Sequence, residues 1–114
     1  MIRTELCNLL GIQYPIIQAG MGPFDTTDLA AAVSNAGAMG IISHYALDAD
    51  QAAKMAEAIR KVKGMTKGHF GANVRVAARY SQAEEVLEAI FRERRNDEDL
   101  YNQMNLLITS AGDC

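Results

Sequence analysis

Pro15-Ile16-Ile17-Gln18-Ala19-Gly20-Met21-Gly22 is an apolar run that breaks abruptly into small residues. Proline is tolerated at the first position of a strand, and two β-branched residues follow it. Pro15 to Ala19 therefore reads as a short buried strand, and Gly20 to Phe24 as the loop that leaves it. The residues after this loop decide the kind of sheet. From Thr26 onward Leu29, Ala32, Val33 and Ala36 fall at i, i+3, i+4 and i+7, one face of a helix that Gly37 can end in the left-handed conformation.

The alternation then repeats. Met39 to Ser43 reads as a second strand, followed by a helix marked by Ala52, Met55, Ala56, Ile59 and Val62, begun near Asp48 or Asp50 and stopped by Gly64. Phe70 to Val76 is a third strand that carries Asn73 toward its C-terminal half. Ser81 with Glu84 forms a capping box, and Ala83, Val86, Leu87, Ile90 and Phe91 draw the buried stripe of a third helix. Asn96 to Asn105 reads as a short exposed helix or turn, the charge run Arg92 to Asp99 as a solvated face, and Leu106 to Ser110 as a fourth strand. Upstream, Leu6 to Leu10 is a lead-in broken by Gly11. Strands alternating with helices imply βαβ units and a parallel sheet, about three and a half of them, in one domain over residues 1–114.

Composition narrows the functional classes. The chain has 114 residues, of which 49% are hydrophobic and 22% charged, enough apolar material for one core. A net charge of −3 with interleaved signs predicts no nucleic acid and no anionic membrane surface as partner. No stretch approaches the roughly 20 apolar residues of a membrane span, and Met1-Ile2-Arg3-Thr4-Glu5 is no signal sequence, so a cytoplasmic location is expected. Cys7 and Cys114 stand alone at the two ends, without disulfide or zinc spacing, and read as free thiols.

Gly20-Met21-Gly22 after a strand invites a dinucleotide-binding reading. It fails at the next step, because position 25 is Asp25 rather than a third glycine, and the second strand ends in Ser43-His44 rather than in an acid for a ribose. The longer stretch Tyr14 to Gly22, with Leu29 to Gly37, Gly40-Ile41-Ile42, Phe70-Gly71-Ala72-Asn73-Val74 and Ile108-Thr109-Ser110-Ala111-Gly112-Asp113, resembles the nitronate monooxygenase family, formerly the 2-nitropropane dioxygenases. The motifs come in the family's order and cover essentially the whole chain.

The resemblance implies the N-terminal part of an FMN-binding (β/α)8 barrel of the TIM type. It implies oxidation of nitronates or nitroalkanes with oxygen, and a small-molecule substrate. It further implies flavin contacts at Ala19, Gly20, Met21 and Asn73, the first three through a backbone that lies against the ring and Asn73 through its amide. The residue types suit that chemistry. Small residues let a backbone approach a flat ring, and an amide both donates and accepts toward a ring whose hydrogen bonding changes on reduction. Taken singly, Met21 reads as gap-filling core and Asn73 as a satisfied buried amide, but asparagine is depleted in strands and its place there asks for a reason.

Other candidates are weaker. His44 follows the second strand and faces the same end as these residues, where a pocket-lining role competes with an ordinary buried histidine, the preferred reading; His69 reads as structural. Ser110 has no His or acid partner in its sequence context and reads as lining rather than nucleophile. No catalytic residue and no metal ligand is assigned. The family's catalytic histidine and phosphate-binding segments have no counterpart here, and Cys114 stands where the family usually has proline. A closed barrel takes about eight strands and roughly 250 residues, so the open sheet edge predicts either a piece of a larger barrel or self-association. Two alternatives stand beside the monooxygenase reading: a non-catalytic half-barrel, and a flavin-dependent enoyl-acyl carrier protein reductase of the same barrel group.

Overall fold

The computed structural model describes residues 4–20, 25–44, 50–75 and 82–110. Its elements, in chain order, are α1 (Glu5–Leu10), α2 (Thr27–Asn35), β1 (Gly40–Ile42), α3 (Gln51–Met65), β2 (Phe70–Arg75), α4 (Ala83–Asn96), α5 (Glu98–Gln103) and β3 (Met104–Ser110). The strands form one parallel sheet in the order β1-β2-β3, so each crossover carries a helix, as parallel pairing requires. The expected third and fourth strands are β2 and β3, the latter starting at Met104, two residues earlier than the apolar run suggests.

The first expected strand is the main departure. Residues 15–19 do not form a ladder; only Ile17 makes a parallel bridge, to Met39 beside the outer edge of β1. The chain leaves the sheet after that single contact because the Gln18 side chain, rather than the backbone beyond it, meets Ile41.

Side chains of the sheet alternate between two cores. On one face Ile42, Phe70, Ala72, Val74 and Met104 pack with Met55, Ile59 and Val62 of α3, Val86 and Ile90 of α4, and Leu100 of α5. On the other, Met39 and Ile41 pack with Cys7, Leu10 and Ile12, and Leu106 and Ile108 lie against them. Thus α1 caps that second face. It begins with the Thr4 hydroxyl accepting from Cys7 N–H, ends at Gly11 with φ of 74°, and is tied to β3 by Asn105 Nδ2 donating to Leu10 O at 2.7 Å.

Helix α2 buries a different stripe from the expected one. Thr27, Ala30, Ala31 and Ser34 face the core, whereas Leu29, Ala32 and Ala36 are exposed. Both sets have helical spacing, and packing chooses between them. A Cβ on Gly40 would lie 2.0 Å from Ala30 O, so the helix backbone sits directly on β1 and only small residues fit between them. Ser34 Oγ also donates to His69 O at 2.7 Å, which a bulky residue there could not do.

Helices α3 and α4 and the charge run depart from expectation in smaller ways. Gly64 does not stop α3, which runs on to Met65 from an N-cap at Asp50, whose carboxylate accepts from Ala53 N–H. Nothing lies within 4 Å of a Cβ placed on Gly64. Gly64→Ala is therefore expected to stabilise the chain by about 0.5 to 1 kcal/mol through backbone entropy, read as a higher urea midpoint. Phe91 is exposed, and Gln82 stands at the N-cap of α4 without a side-chain cap bond; Ser81 of the expected capping box lies outside the described residues. The charge run is not wholly solvated. Glu93 is buried, with Arg60 Nη2 at 2.6 Å from its Oε1, and Asp97 both caps α5 and pairs with Lys63 of α3.

Cys7 is buried and free. Cys114 lies outside the described residues.

Candidate functional site

Because the strands are parallel, their C-terminal ends share one side of the sheet, the side on which α/β proteins build their sites. Phe70, Ala72 and Val74 of β2 turn toward the helices, so Gly71 and Asn73 turn the other way, onto the face that α1 caps. Gly11 lies against the His69 ring at the N-terminal end of β2, which leaves the C-terminal half of that face to Asn73 and the segment around Gly20.

The structure brings these two together. A Cβ on Gly20 would stand 2.7 Å from Asn73 Nδ2 and 3.0 Å from both its Cβ and Cγ. No side chain larger than hydrogen fits there without moving the amide. Gly20 and Asn73 are each half-buried, and Ala19 is exposed. Among the described residues no group hydrogen-bonds to the Asn73 amide. Met21 lies outside the described residues.

Gln18 is a positioned residue to which the sequence reading gave no role. Its Oε1 accepts from Ile41 N–H at 3.1 Å and its Nε2 donates to Ile41 O at 3.0 Å. Thr26 Oγ1 donates to the same carbonyl at 3.0 Å and accepts from Ser43 N–H at 3.0 Å, which ties the start of α2 to the end of β1. A glutamine directly before a strand-ending small-residue turn was the available signal.

His44 takes the bland alternative. It is fully buried, its Nδ1 accepts from Arg75 N–H at 2.9 Å, and its Nε2 therefore carries the proton, donated to Gln51 Oε1 at 2.5 Å. Gln51 Oε1 also accepts from Gln82 N–H, and Gln82 Oε1 from Gln51 N–H. One polar knot thus joins the ends of β1 and β2 to the starts of α3 and α4. Burial holds the His44 pKa below its ordinary value; the Gln51 hydrogen bond opposes this, and the Arg75 charge adds to it.

Because the folded state disfavours the imidazolium, the knot contributes fully above the unfolded pKa of about 6.5 and loses stability as pH falls below it toward the depressed folded value. Asp97, whose pKa is lowered first by its hydrogen bond from Lys63, titrates below the usual carboxylate range and leaves this window clear. Melting temperature is expected to drop between about pH 7 and about pH 5, and His44→Gln, which does not titrate, to flatten that slope.

His69 lies at the opposite end, its Nδ1 3.2 Å from Gln103 O, and is structural as expected. A concavity there is lined by Lys63, Lys67, His69, Asp99, Asn102 and Gln103, far from Gly20 and Asn73 and with Lys63 already paired to Asp97. Among the described residues no cluster of His, Cys, Asp or Glu could hold a metal ion, and no helix is long and apolar enough to cross a membrane. Ser110 ends β3.

The family model for nitronate monooxygenase matches residues 3–109. A probable nitronate monooxygenase of Staphylococcus haemolyticus is 40% identical over 86 residues, covering 75% of this chain and 23% of the relative. The (3aS,4S,5R,7aS)-5-hydroxy-7a-methyl-1-oxo-octahydro-1H-indene-4-carboxyl-CoA dehydrogenase of Mycobacterium tuberculosis is 38% identical over 92 residues, covering 81% of this chain and 24% of that one. The chain thus spans about a quarter of the length of these curated relatives. Among solved structures, FabK from Thermotoga maritima superposes with a TM-score of 0.73 at 26% identity, over 96% of this chain and 37% of that one. The described elements are accordingly the N-terminal part of a (β/α) barrel. With the family model running through nearly every strand and helix of the described structure, the chain belongs to the nitronate monooxygenase family.

Proposed function

We propose that this chain supplies the ring-binding half of an FMN-dependent oxidoreductase of nitronate monooxygenase type, with Ala19, Gly20, Met21 and Asn73 as the flavin contacts. The observation that carries it is the Gly20–Asn73 contact at the C-terminal end of the sheet. The residues fit such a group. A glycine backbone bare of Cβ, an exposed alanine beside it and an amide without a partner among the described residues offer a flat, small-residue surface with one adjustable donor and acceptor.

When bound, FMN supplies the redox chemistry, taking electrons from a nitronate and passing them to oxygen. The chain's own contribution is placement. Gly20 lets the backbone approach, Asn73 presents an amide that serves either hydrogen-bonding pattern, and the His44–Gln51–Gln82 knot holds the helix starts at this end in register with the strands. No proton-transfer residue is assigned within these residues.

A second reading differs in substrate. The name of the Mycobacterium tuberculosis relative carries a coenzyme A thioester, which favours an acyl thioester as substrate of the same flavin site, in line with the reductase alternative.

Titrating the purified chain with FMN and recording visible absorption tests the common core of both readings. A stoichiometric flavin band in a monomer supports them and excludes a non-catalytic half-barrel that self-associates. A chain that sediments as an oligomer, takes up no flavin and leaves nitronates untouched would falsify the enzyme reading. Nitronate-driven against thioester-driven changes in the flavin band then separate the two substrates.

A further inference from the structure

We propose that Gln18 is the positioning residue of this flavin platform: its side-chain amide occupies a rung of the β1 ladder and so releases the Gly20 N–H from the sheet toward the ring. The proposal rests on the flavin reading and adds the device that makes the platform available.

The ladder beside β1 begins regularly. Met39 N–H donates to Ile16 O at 3.0 Å, and Gln18 N–H donates to Met39 O at 3.0 Å, around the parallel bridge of Ile17 with Met39. In a parallel pair a residue's N–H and C=O face the same neighbour, and every second residue repeats the pattern. The next rung therefore falls on Ile41. Its N–H would donate to Gln18 C=O, and its C=O would accept from Gly20 N–H.

Neither bond is made. Ile41 N–H goes to Gln18 Oε1 at 3.1 Å, and Ile41 O accepts from Gln18 Nε2 at 3.0 Å. A glutamine side chain ends in the same donor–acceptor pair as a peptide group, so it satisfies the buried edge of β1 while the chain it belongs to turns away. Among the described residues, Gln18 C=O and Gly20 N–H have no hydrogen-bond partner.

The alternative geometry shows what the substitution achieves. Were Gly20 N–H committed to Ile41, residues 18–20 would continue as strand with their polar backbone turned into the sheet. With the rung taken by a side chain, Ala19 is exposed, Gly20 lies against Asn73, and a backbone donor is left beside an amide on the face where the site forms. At neutral pH no other side chain of this reach supplies both halves of the rung. Leucine supplies neither, an ionised glutamate only the acceptor, and asparagine is a methylene short.

The test uses the whole chain, with FMN itself as the probe, and two variants. Gln18→Leu is expected to expose the Ile41 amide to hydrogen exchange and to raise the FMN dissociation constant about tenfold or more. Gln18→Glu is expected to bind FMN weakly near about pH 8 and, relative to wild type at each pH, to recover as pH falls into the carboxyl range at about 4 to 5, because a protonated carboxyl again donates to Ile41 O while accepting from Ile41 N–H. Wild type should show no such recovery, and a merely structural glutamine would give Gln18→Glu no pH-dependent rescue. FMN binding by Gln18→Leu equal to wild type, or a flat pH profile for Gln18→Glu, overturns the proposal and leaves the flavin reading standing. No FMN binding by wild type overturns the flavin reading and this proposal together, and Ile41 exchange then still reports whether the side-chain rung exists.

Discussion

Gly40→Ala is expected to remove the cooperative unfolding transition of this chain, or to lower its stability by about 3 kcal/mol or more if a transition survives. The new Cβ would lie 2.0 Å from Ala30 O, 2.7 Å from Ala30 C and 2.8 Å from Ala30 Cα, all backbone atoms of α2. A flexible side chain could rotate away from such a collision; a helix backbone can only move as a body. Moving α2 outward would break the Thr26 bonds to Ile41 and Ser43 and the Ser34 bond to His69 O. Total stabilities of domains this size are about 5 to 15 kcal/mol, so the loss is a large share. Gly64→Ala is the control, being the same chemical change with the opposite expected sign. Circular dichroism melts of the two variants beside wild type give the answer, and a Gly40→Ala chain that melts like wild type would refute the close packing of α2 on β1.

The second large effect concerns the platform. Asn73→Ala is expected to weaken FMN binding by about 1 to 3 kcal/mol, roughly 5- to 150-fold, while leaving the melting temperature close to wild type. Asn73 is half-buried and has no protein partner among the described residues, so its loss orphans none of their polar groups. Gly20→Ala is expected to weaken binding comparably by a different route, since its Cβ would stand 2.7 Å from Asn73 Nδ2 and displace the amide. The two should not add. Once Asn73 is alanine, the Nδ2 and Cγ that the Gly20 substituent meets are gone and only the Cβ at 3.0 Å remains, so the double variant should bind only a little more weakly than Asn73→Ala alone. Flavin fluorescence titration of the four proteins measures the cycle. Additive losses would mean that Gly20 and Asn73 act independently, and an unaltered affinity in Asn73→Ala would remove the amide from the site.

Much of the fold was legible in the residues alone. The alternation of β-branched runs with helical stripes identified a parallel sheet with crossover helices, and β1, β2, α3 and α4 fall where the pattern put them to within a few residues. Gly37 has a positive φ, as its place after a helix suggested, and so does Gly11, whose lead-in proves to be the short helix α1. The residues named for the flavin platform that lie within the described structure, Ala19, Gly20 and Asn73, gather at one end of the sheet although more than fifty positions separate Gly20 from Asn73.

The misread positions share a cause. The stripe Leu29, Ala32, Val33 and Ala36 and the stripe Thr27, Ala30, Ala31 and Ser34 have the same spacing, and hydrophobicity favours the first. The second is buried because Gly40 brings two backbones into contact, a condition written on a different element. Likewise Phe91 belongs to the apolar stripe of α4 yet is exposed, while Glu93, two residues on, is buried beside Arg60 of α3. Periodicity reports which faces a helix could bury; only the neighbouring element says which one it does.

Gln18 marks the same division most sharply. By itself the sequence determined that an apolar run ends at residue 18 in small residues, and that a parallel α/β chain would place this turn at the functional end of the sheet. Whether the run pairs through its backbone or through a side chain was not written locally, because the two differ only in which amide reaches Ile41, twenty-three residues away. A side-chain amide and a peptide group offer the same donor and acceptor, so the choice between them is made by distance and direction in three dimensions, and the tertiary structure made it in favour of the side chain.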